Sequence, residues 1–171
     1  VKKLVDYAIE QGASAIFVLG SMGEGPSLLD SQRLLIVETA AEHINGRVPL
    51  LAGISDVSTR RALEMGKMLQ NAGPDYLVST TPFYYSFPHP DSIINYFSTL
   101  ADQLQKPVVY YHCPGATGNG VTWPVLDAFM QMPNLAAIKY SSLDLTLFLE
   151  LLRNYPDKTT RTTAILQGNE F

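Results

Sequence analysis

The sequence predicts an α/β fold on a parallel sheet and, within that class, a (β/α)8 TIM barrel that is partial. Four observations carry this. Short apolar runs alternate with stretches at helical spacing along the whole chain. The runs are apolar throughout rather than alternating, as in strands buried on both faces. Polar and unusual residues stand after many different runs: Ser21 and Glu24, Ser55, Thr81 and Tyr84, Tyr111 and His112, Lys139 and Ser141, Gly168 to Glu170. A barrel gathers the C-terminal ends of all its strands at one mouth, whereas an open doubly wound sheet uses only those at its switch point. Finally, the glycines of Gly20-Ser-Met-Gly-Glu-Gly25 have the wrong spacing for a dinucleotide loop, and no P-loop lysine follows. About six strand–helix units are countable against the eight of a closed barrel.

Val1, Leu4, Val5, Ala8 and Ile9 predict a first helix, ended by Gly12. Ser14 to Leu19 is a strand, broken by Gly20 to Gly25. Ser27 and Asp30 are spaced as a capping pair for a helix running to about Ile44, with Gly46 beyond it. Val48 to Ala52 is a strand, Ser58 to Asn71 a helix, and Tyr76 to Thr80 a strand. The loop Pro82 to Pro90 leads to a helix with Ile93, Phe97, Leu100 and Leu104 on one face. Pro107 to Tyr111 is a strand, followed by a Pro/Gly-rich loop to Gly120. Thr122 is expected to cap a short helix with Pro124 in its first turn. Leu135 to Lys139 is a strand, Leu145, Phe148, Leu149 and Leu152 mark a helix, and Thr162 to Leu166 is the last strand.

Composition narrows the function classes. The net charge of −4 and the lack of any basic run argue against a nucleic-acid surface. No apolar stretch approaches membrane-spanning length, and no charged-then-apolar leader is present. The single cysteine, Cys113, cannot form an internal disulfide, so a reducing, cytoplasmic location is expected. The histidines His43, His89 and His112 lie in separate segments without ligand spacing, so no metal is expected. Cys113 beside His112 reads as a small buried thiol rather than a nucleophile.

Lys139 ends an apolar strand, where an ammonium group is costly unless paired. A lysine of ordinary pKa is only roughly 0.04% free amine at pH 7, and free amine is what attacks a carbonyl. The plainer reading is a lysine that reaches solvent or sits in an ion pair. Tyr111 ends the preceding strand. Alternation puts Val109 with Tyr111, and Ala137 with Lys139, on one face, so phenol and amine are expected side by side. Such a phenol can carry protons to and from a carbinolamine; the plainer alternative is an aromatic packed under a loop. Tyr110 is expected to point out to the helix layer. In Gly20-Ser-Met-Gly-Glu-Gly25, the Ser21 hydroxyl and the free N–H groups before a helix suit a carboxylate. The alternative is a plain strand-to-helix turn.

Taken together, these residues resemble the pyruvate-dependent class I aldolases of the N-acetylneuraminate lyase and dihydrodipicolinate synthase superfamily. Gly20-Ser-Met-Gly-Glu24 resembles the family's G-[ST]-T-G-E loop, and Thr81-Pro-Phe-Tyr84 its T-P-[YF]-Y segment. Tyr111-His-Cys-Pro114 with Thr117-Gly118 resembles the segment carrying the family's tyrosine, Ile138-Lys139 its Schiff-base strand, and Gly168-Asn-Glu170 its glycine-acidic segment. Each motif is short, but all occur in order along the whole chain.

The resemblance implies that Lys139 forms an imine with pyruvate or another 2-oxo acid, without cofactor or metal. It implies that Tyr111 relays protons and that Gly20, Ser21 and Met22 hold the carboxylate. It also implies that Tyr84 reaches into a neighbouring subunit, making the protein a homo-oligomer, a dimer or a tetramer. Dihydrodipicolinate synthases have an arginine where this chain has Ala116. The Tyr-His-x-Pro form, the Gly-Glu-Gly run and the segment after Lys139 look closer to N-acetylneuraminate lyase. There Ser141 would bind the sugar chain, and Glu170, with Gly168, would face the polyol. The expected reaction joins or splits a 2-oxo sugar acid, pyruvate and an aldehyde. The alternatives are a 2-keto-3-deoxy sugar acid, 4-hydroxy-2-oxoglutarate, a hydratase-type substrate, or a non-catalytic binding homologue. The family usually has threonine where Met22 stands; its hydroxyl is worth about 1–2 kcal/mol to a carboxylate. By the family pattern, residues 1–171 form one catalytic barrel domain, incomplete at both ends, from the first helix to the seventh strand.

Overall fold

The computed structural model describes residues 1–168. Strands and helices alternate: α1 (Lys2–Glu10), β1 (Ile16–Val18), α2 (Asp30–Ile44), β2 (Leu50–Gly53), α3 (Thr59–Leu69), β3 (Tyr76–Ser79) and α4 (Pro90–Gln103). Then come β4 (Val108–His112), α5 (Pro114–Thr117), α6 (Trp123–Met130), β5 (Leu135–Tyr140), α7 (Thr146–Asn154) and β6 (Ala164–Gln167). All strand pairs are parallel, and the six strands run in chain order, each beside its predecessor. A doubly wound sheet reverses its strand order at the switch point; no reversal occurs among the described strands. The curled sheet is therefore part of a (β/α)8 barrel.

The two faces of the sheet bury different residues. Leu50, Leu77, Val108, Tyr110, Ile138 and Tyr140 face the helices and pack with Val37, Phe97, Leu100, Leu126 and Phe129. Val78, Val109, Tyr111 and Ala137 form a second, inner cluster with Phe17 and Leu51. Period-two alternation sets these faces. Tyr110 lies in the helix-side core, as its position predicts. Phe97 anchors that core, its ring edge-on to Tyr96, Tyr110 and Phe129 at centroid distances of 5.0, 4.9 and 4.9 Å.

Several local expectations need correction. Ser27 does not cap α2. It closes a 3-10 turn over Gly25–Ser27, its N–H donating to the Glu24 carbonyl at 2.9 Å. Leu29 holds the N-cap position instead, and its N–H donates to Gln32 Oε1 at 3.0 Å. Thr122 precedes α6 without a side-chain cap bond. The loop before Gly120 contains the one-turn helix α5, begun by Pro114, whose fixed φ suits a first turn. Ser58 does cap α3, its Oγ accepting the Arg61 N–H at 3.4 Å. Gly12 takes φ +93° just past α1, a left-handed turn that glycine makes at low cost.

Candidate active site

Tyr111 and Lys139 are direct register partners on β4 and β5. Their pairing depends on an irregularity. Val108 pairs with Leu135, yet Val109 pairs with Ala137, so Ala136 is an extra residue in β5. Without it Tyr111 would face Ile138, and a one-residue slip sends every later side chain to the opposite face. The bulge thus brings Lys139 to the inner face at the level of Tyr111.

The half-buried Lys139 places Nζ 3.7 Å from the centroid of the Tyr111 ring, over its face. That face attracts cations through its quadrupole. Lys139 Nζ also donates to Ser141 Oγ at 3.1 Å. Tyr111 is 8% exposed, with Phe17 edge-on to its ring at 6.1 Å. The Tyr111 hydroxyl and Ser21 Oγ are 3.3 Å apart. Ser141 is fixed through its backbone, its N–H donating to the His112 carbonyl at 2.8 Å. Gly168 stands against the same group: a Cβ there would overlap the Ser141 hydroxyl and lie 3.1 Å from Lys139 Nζ. Close approach is therefore what glycine provides at this position.

The segment from Gly20 to Gly25 is a compact turn. Gly23 and Gly25 donate N–H to the Gly20 carbonyl at 3.1 and 3.2 Å, and Glu24 to the Ser21 carbonyl at 3.1 Å. Among the described residues, these turn bonds leave out the N–H groups of Ser21 and Met22. The Met22 side chain is 97% exposed, away from the Tyr111–Lys139 pair. Beside Ser21 and Tyr111 lies a cavity of about 200 Å³, lined also by Phe17, Ser55, Thr80 and Phe83. Its wall contains Ala116, and among the described residues its titratable side chains are Tyr111 and Cys113.

The structure therefore brings together Gly20, Ser21, Tyr111, Lys139, Ser141 and Gly168, and leaves the Met22 and Tyr84 side chains outside. Tyr84 is 83% exposed and stands edge-on to Tyr85. Glu170 lies outside the described residues. Cys113 is half-buried on the cavity wall rather than fully buried, because β4 ends at His112 and the chain turns across the mouth there. His112 does not join the mouth. It faces the helices, 3% exposed, with Nδ1 2.8 Å from the Tyr110 hydroxyl and its ring stacked 4.3 Å from Tyr140. Burial pushes its pKa down from 6.5 to about 4, so the imidazole is neutral. Sequence reasoning missed Phe17, which looked like plain strand filler, and Asn119, whose only signal was its place between Gly118 and Gly120. Among the described residues no group of His, Cys, Asp or Glu could hold a metal ion, and no helix is long and apolar enough to cross a membrane.

A lysine and a tyrosine at adjacent strand ends, inside a partial (β/α)8 barrel, define the class of site. The family follows from comparison with known proteins. The model of the dihydrodipicolinate synthetase family matches residues 1–170, and the chain belongs to that family. It is 32% identical over 154 residues to a 4-hydroxy-tetrahydrodipicolinate synthase of Nitrosomonas europaea, covering 90% of this chain and 52% of that protein. A Bacillus velezensis protein of the same name is 29% identical over 154 residues, covering 90% of this chain and 53% of its own length. Among solved structures, a dihydrodipicolinate synthase from Acinetobacter baumannii complexed with pyruvate superposes with a TM-score of 0.90 at 26% identity, covering 98% of this chain and 56% of that one. A prophage protein of E. coli K12 from the dihydrodipicolinic acid synthase family, in complex with pyruvate, gives 0.87 at 28%, with the same coverage. The chain thus spans about half the length of the relatives it matches.

Proposed function

We propose that this protein is a pyruvate-dependent carbon–carbon lyase of the class I aldolase type, with Lys139 as the imine-forming amine. The observation that carries the reading is Lys139 Nζ lying 3.7 Å over the Tyr111 ring, with the Tyr111 hydroxyl 3.3 Å from Ser21. The amine adds to the keto carbon of a 2-oxo acid to give a carbinolamine, which loses water to form an iminium. The iminium withdraws electrons, so the bond between C3 and C4 breaks, the C4 hydroxyl proton leaves, and an aldehyde is released. The enamine takes up a proton at C3, and water returns pyruvate and the free lysine. Tyr111 carries the protons. An iminium at Nζ keeps its positive charge against the tyrosine face. The Ser21 hydroxyl and the N–H groups of Ser21 and Met22 receive the carboxylate. Met22 acts through its backbone, because its side chain is turned to solvent.

For the substrate we favour a 2-oxo sugar acid of the N-acetylneuraminate type, with Ser141, Gly168 and Glu170 on the polyol side. The curated relatives support a second reading, 4-hydroxy-tetrahydrodipicolinate synthase. Ala116 in the cavity wall counts against it, because among the described residues no cationic side chain lines the cavity to meet a second carboxylate. The exposed Tyr84 and Tyr85 support a role across a subunit boundary, in a dimer or a tetramer of one cytoplasmic catalytic domain. Neither a cofactor nor a metal enters this chemistry.

The test is borohydride trapping with pyruvate in the full-length protein, followed by peptide mass spectrometry. A reduced adduct on Lys139, dependent on pyruvate and lost in Lys139→Ala, is expected. An unlabelled Lys139, or label scattered over surface lysines, refutes the reading and leaves a binding homologue. Product analysis on N-acetylneuraminate, 2-keto-3-deoxy sugar acids, 4-hydroxy-2-oxoglutarate, and pyruvate with aspartate semialdehyde then separates the substrates.

A further inference from the structure

Tyr84 has a backbone φ of +81°. An aromatic residue takes this left-handed conformation only where its surroundings impose it. Here one distant side chain supplies much of that constraint. Asn119 is 5% exposed. Its Nδ2 donates to the carbonyls of Pro82 and Tyr85 at 2.9 Å each, and to that of Thr117 at 3.3 Å. Its Oδ1 accepts the Phe87 N–H at 2.8 Å. The bonds to Pro82 and Tyr85 bracket Tyr84, and the bond to Phe87 closes the loop behind it. Two carbonyls require donors and one N–H requires an acceptor, so the neighbours themselves settle the orientation of the amide.

The clamp reaches the cavity on both sides. Phe83, inside the bracket, lines the cavity, and so does Thr117. Thr117 is tied to the same residue, its Oγ1 accepting the Asn119 N–H at 3.2 Å and donating to the Asn119 carbonyl at 3.2 Å. Asn119 thus joins the loop after β3 to the loop after β4, over 32 to 37 residues of sequence.

We propose that Asn119 is a positioning residue that fixes the Phe83–Thr117 wall of the cavity and the outward, strained Tyr84. Through that wall it governs how the aldehyde partner meets the imine. The reactive part of this inference rests on the imine chemistry proposed above; the clamp itself does not. Pyruvate capture uses Lys139, Tyr111 and Ser21, none of which bonds to Asn119. The aldehyde steps use the remaining wall. Loss of the clamp therefore separates the two halves of the reaction.

The experiment compares Asn119→Ala and Asn119→Asp with wild type in the full-length protein. Borohydride trapping of pyruvate is expected to stay within about twofold of wild type. kcat/KM for the best substrate of the panel is expected to fall by roughly tenfold to a hundredfold, the usual effect of a small misplacement near the chemistry. Asn119→Asp exchanges only the amide NH2 for an oxygen and serves as the folded test if the alanine variant is not recovered. Its carboxylate would face the Pro82 and Tyr85 carbonyls, and protonation restores one donor. Its turnover relative to wild type should therefore recover as pH falls from about 8 to about 5. Hydrogen exchange reads the clamp apart from the chemistry: the Phe87 amide should exchange at least about tenfold faster in Asn119→Ala, which removes its acceptor, whereas Asn119→Asp keeps that acceptor and loses only the donors to Pro82 and Tyr85. Unchanged exchange in Asn119→Ala overturns the proposal even if wild type forms no adduct, an outcome that refutes only the imine reading. Trapping and turnover reduced in equal proportion, or both unchanged, also overturn it.

Discussion

Acid should destabilise this protein through one buried histidine. His112 is 3% exposed, bonded to the Tyr110 hydroxyl and stacked on Tyr140. Burial is the main reason its pKa falls from 6.5 to about 4; the charge of Asp144 pulls weakly the other way. Burial also raises the Tyr110 pKa, so that phenol keeps its proton for the bond. In the unfolded chain the imidazole protonates near 6.5. Between that value and about 4 the unfolded state binds more protons than the folded one, so stability falls as pH falls. The contribution of the neutral imidazole is complete above about pH 6.5 and is lost on the way down to about pH 4. A drop from 6.5 to about 4 corresponds to about 3 kcal/mol, a large share of the 5–15 kcal/mol that holds an ordinary domain. The assay is urea unfolding of the full-length protein at several pH values, beside His112→Asn, which has no titrating group but keeps a polar partner for Tyr110. Subtracting the variant removes the titration of carboxylates common to both proteins. Wild type should lose about 3 kcal/mol more than the variant between about pH 7 and about pH 4. Parallel curves would refute the reasoning, because they would mean that His112 titrates alike in the folded and unfolded states.

Two further predictions concern packing. In Gly168→Ala, the new methyl meets the Ser141 hydroxyl and approaches Lys139 Nζ; pyruvate trapping should slow by about tenfold or more, with the fold intact, and wild-type trapping would show that this approach is unimportant. Phe97→Ala removes a fully buried ring from contact with Tyr96, Tyr110 and Phe129; urea unfolding should report a loss of about 3–5 kcal/mol, and a loss under about 1 kcal/mol would place the core elsewhere.

Much of the architecture was legible in the chain. The apolar runs marked the strands of the observed sheet, and α1 to α4, α6 and α7 fell where the spacing put them, because burial against a sheet imprints a period on each segment separately; the one-turn α5, too short to show a period, was read as loop. Boundaries were less legible. Ser27 carried a capping pattern, but Pro26 drew it into a 3-10 turn. At the mouth, polarity after a strand was an imperfect guide. Ser21, Tyr111 and Lys139 converge, whereas His112, one residue from Tyr111, turns to the helices because successive side chains on a strand face opposite ways.

By itself the sequence determined the class of fold, the lysine and tyrosine at neighbouring strand ends, and the glycine-rich turn, since composition and period act locally. Only the tertiary structure decided the relations between distant segments. The Ala136 bulge sets which face Lys139 shares with Tyr111. The close approach of Gly168 to Ser141 depends on β5 and β6 lying side by side. The Asn119 clamp exists because the loops after β3 and β4 meet, and the strain at Tyr84 persists because that clamp holds it. Register and loop-to-loop hydrogen bonds are fixed by partners far away in the chain, so no local pattern records them.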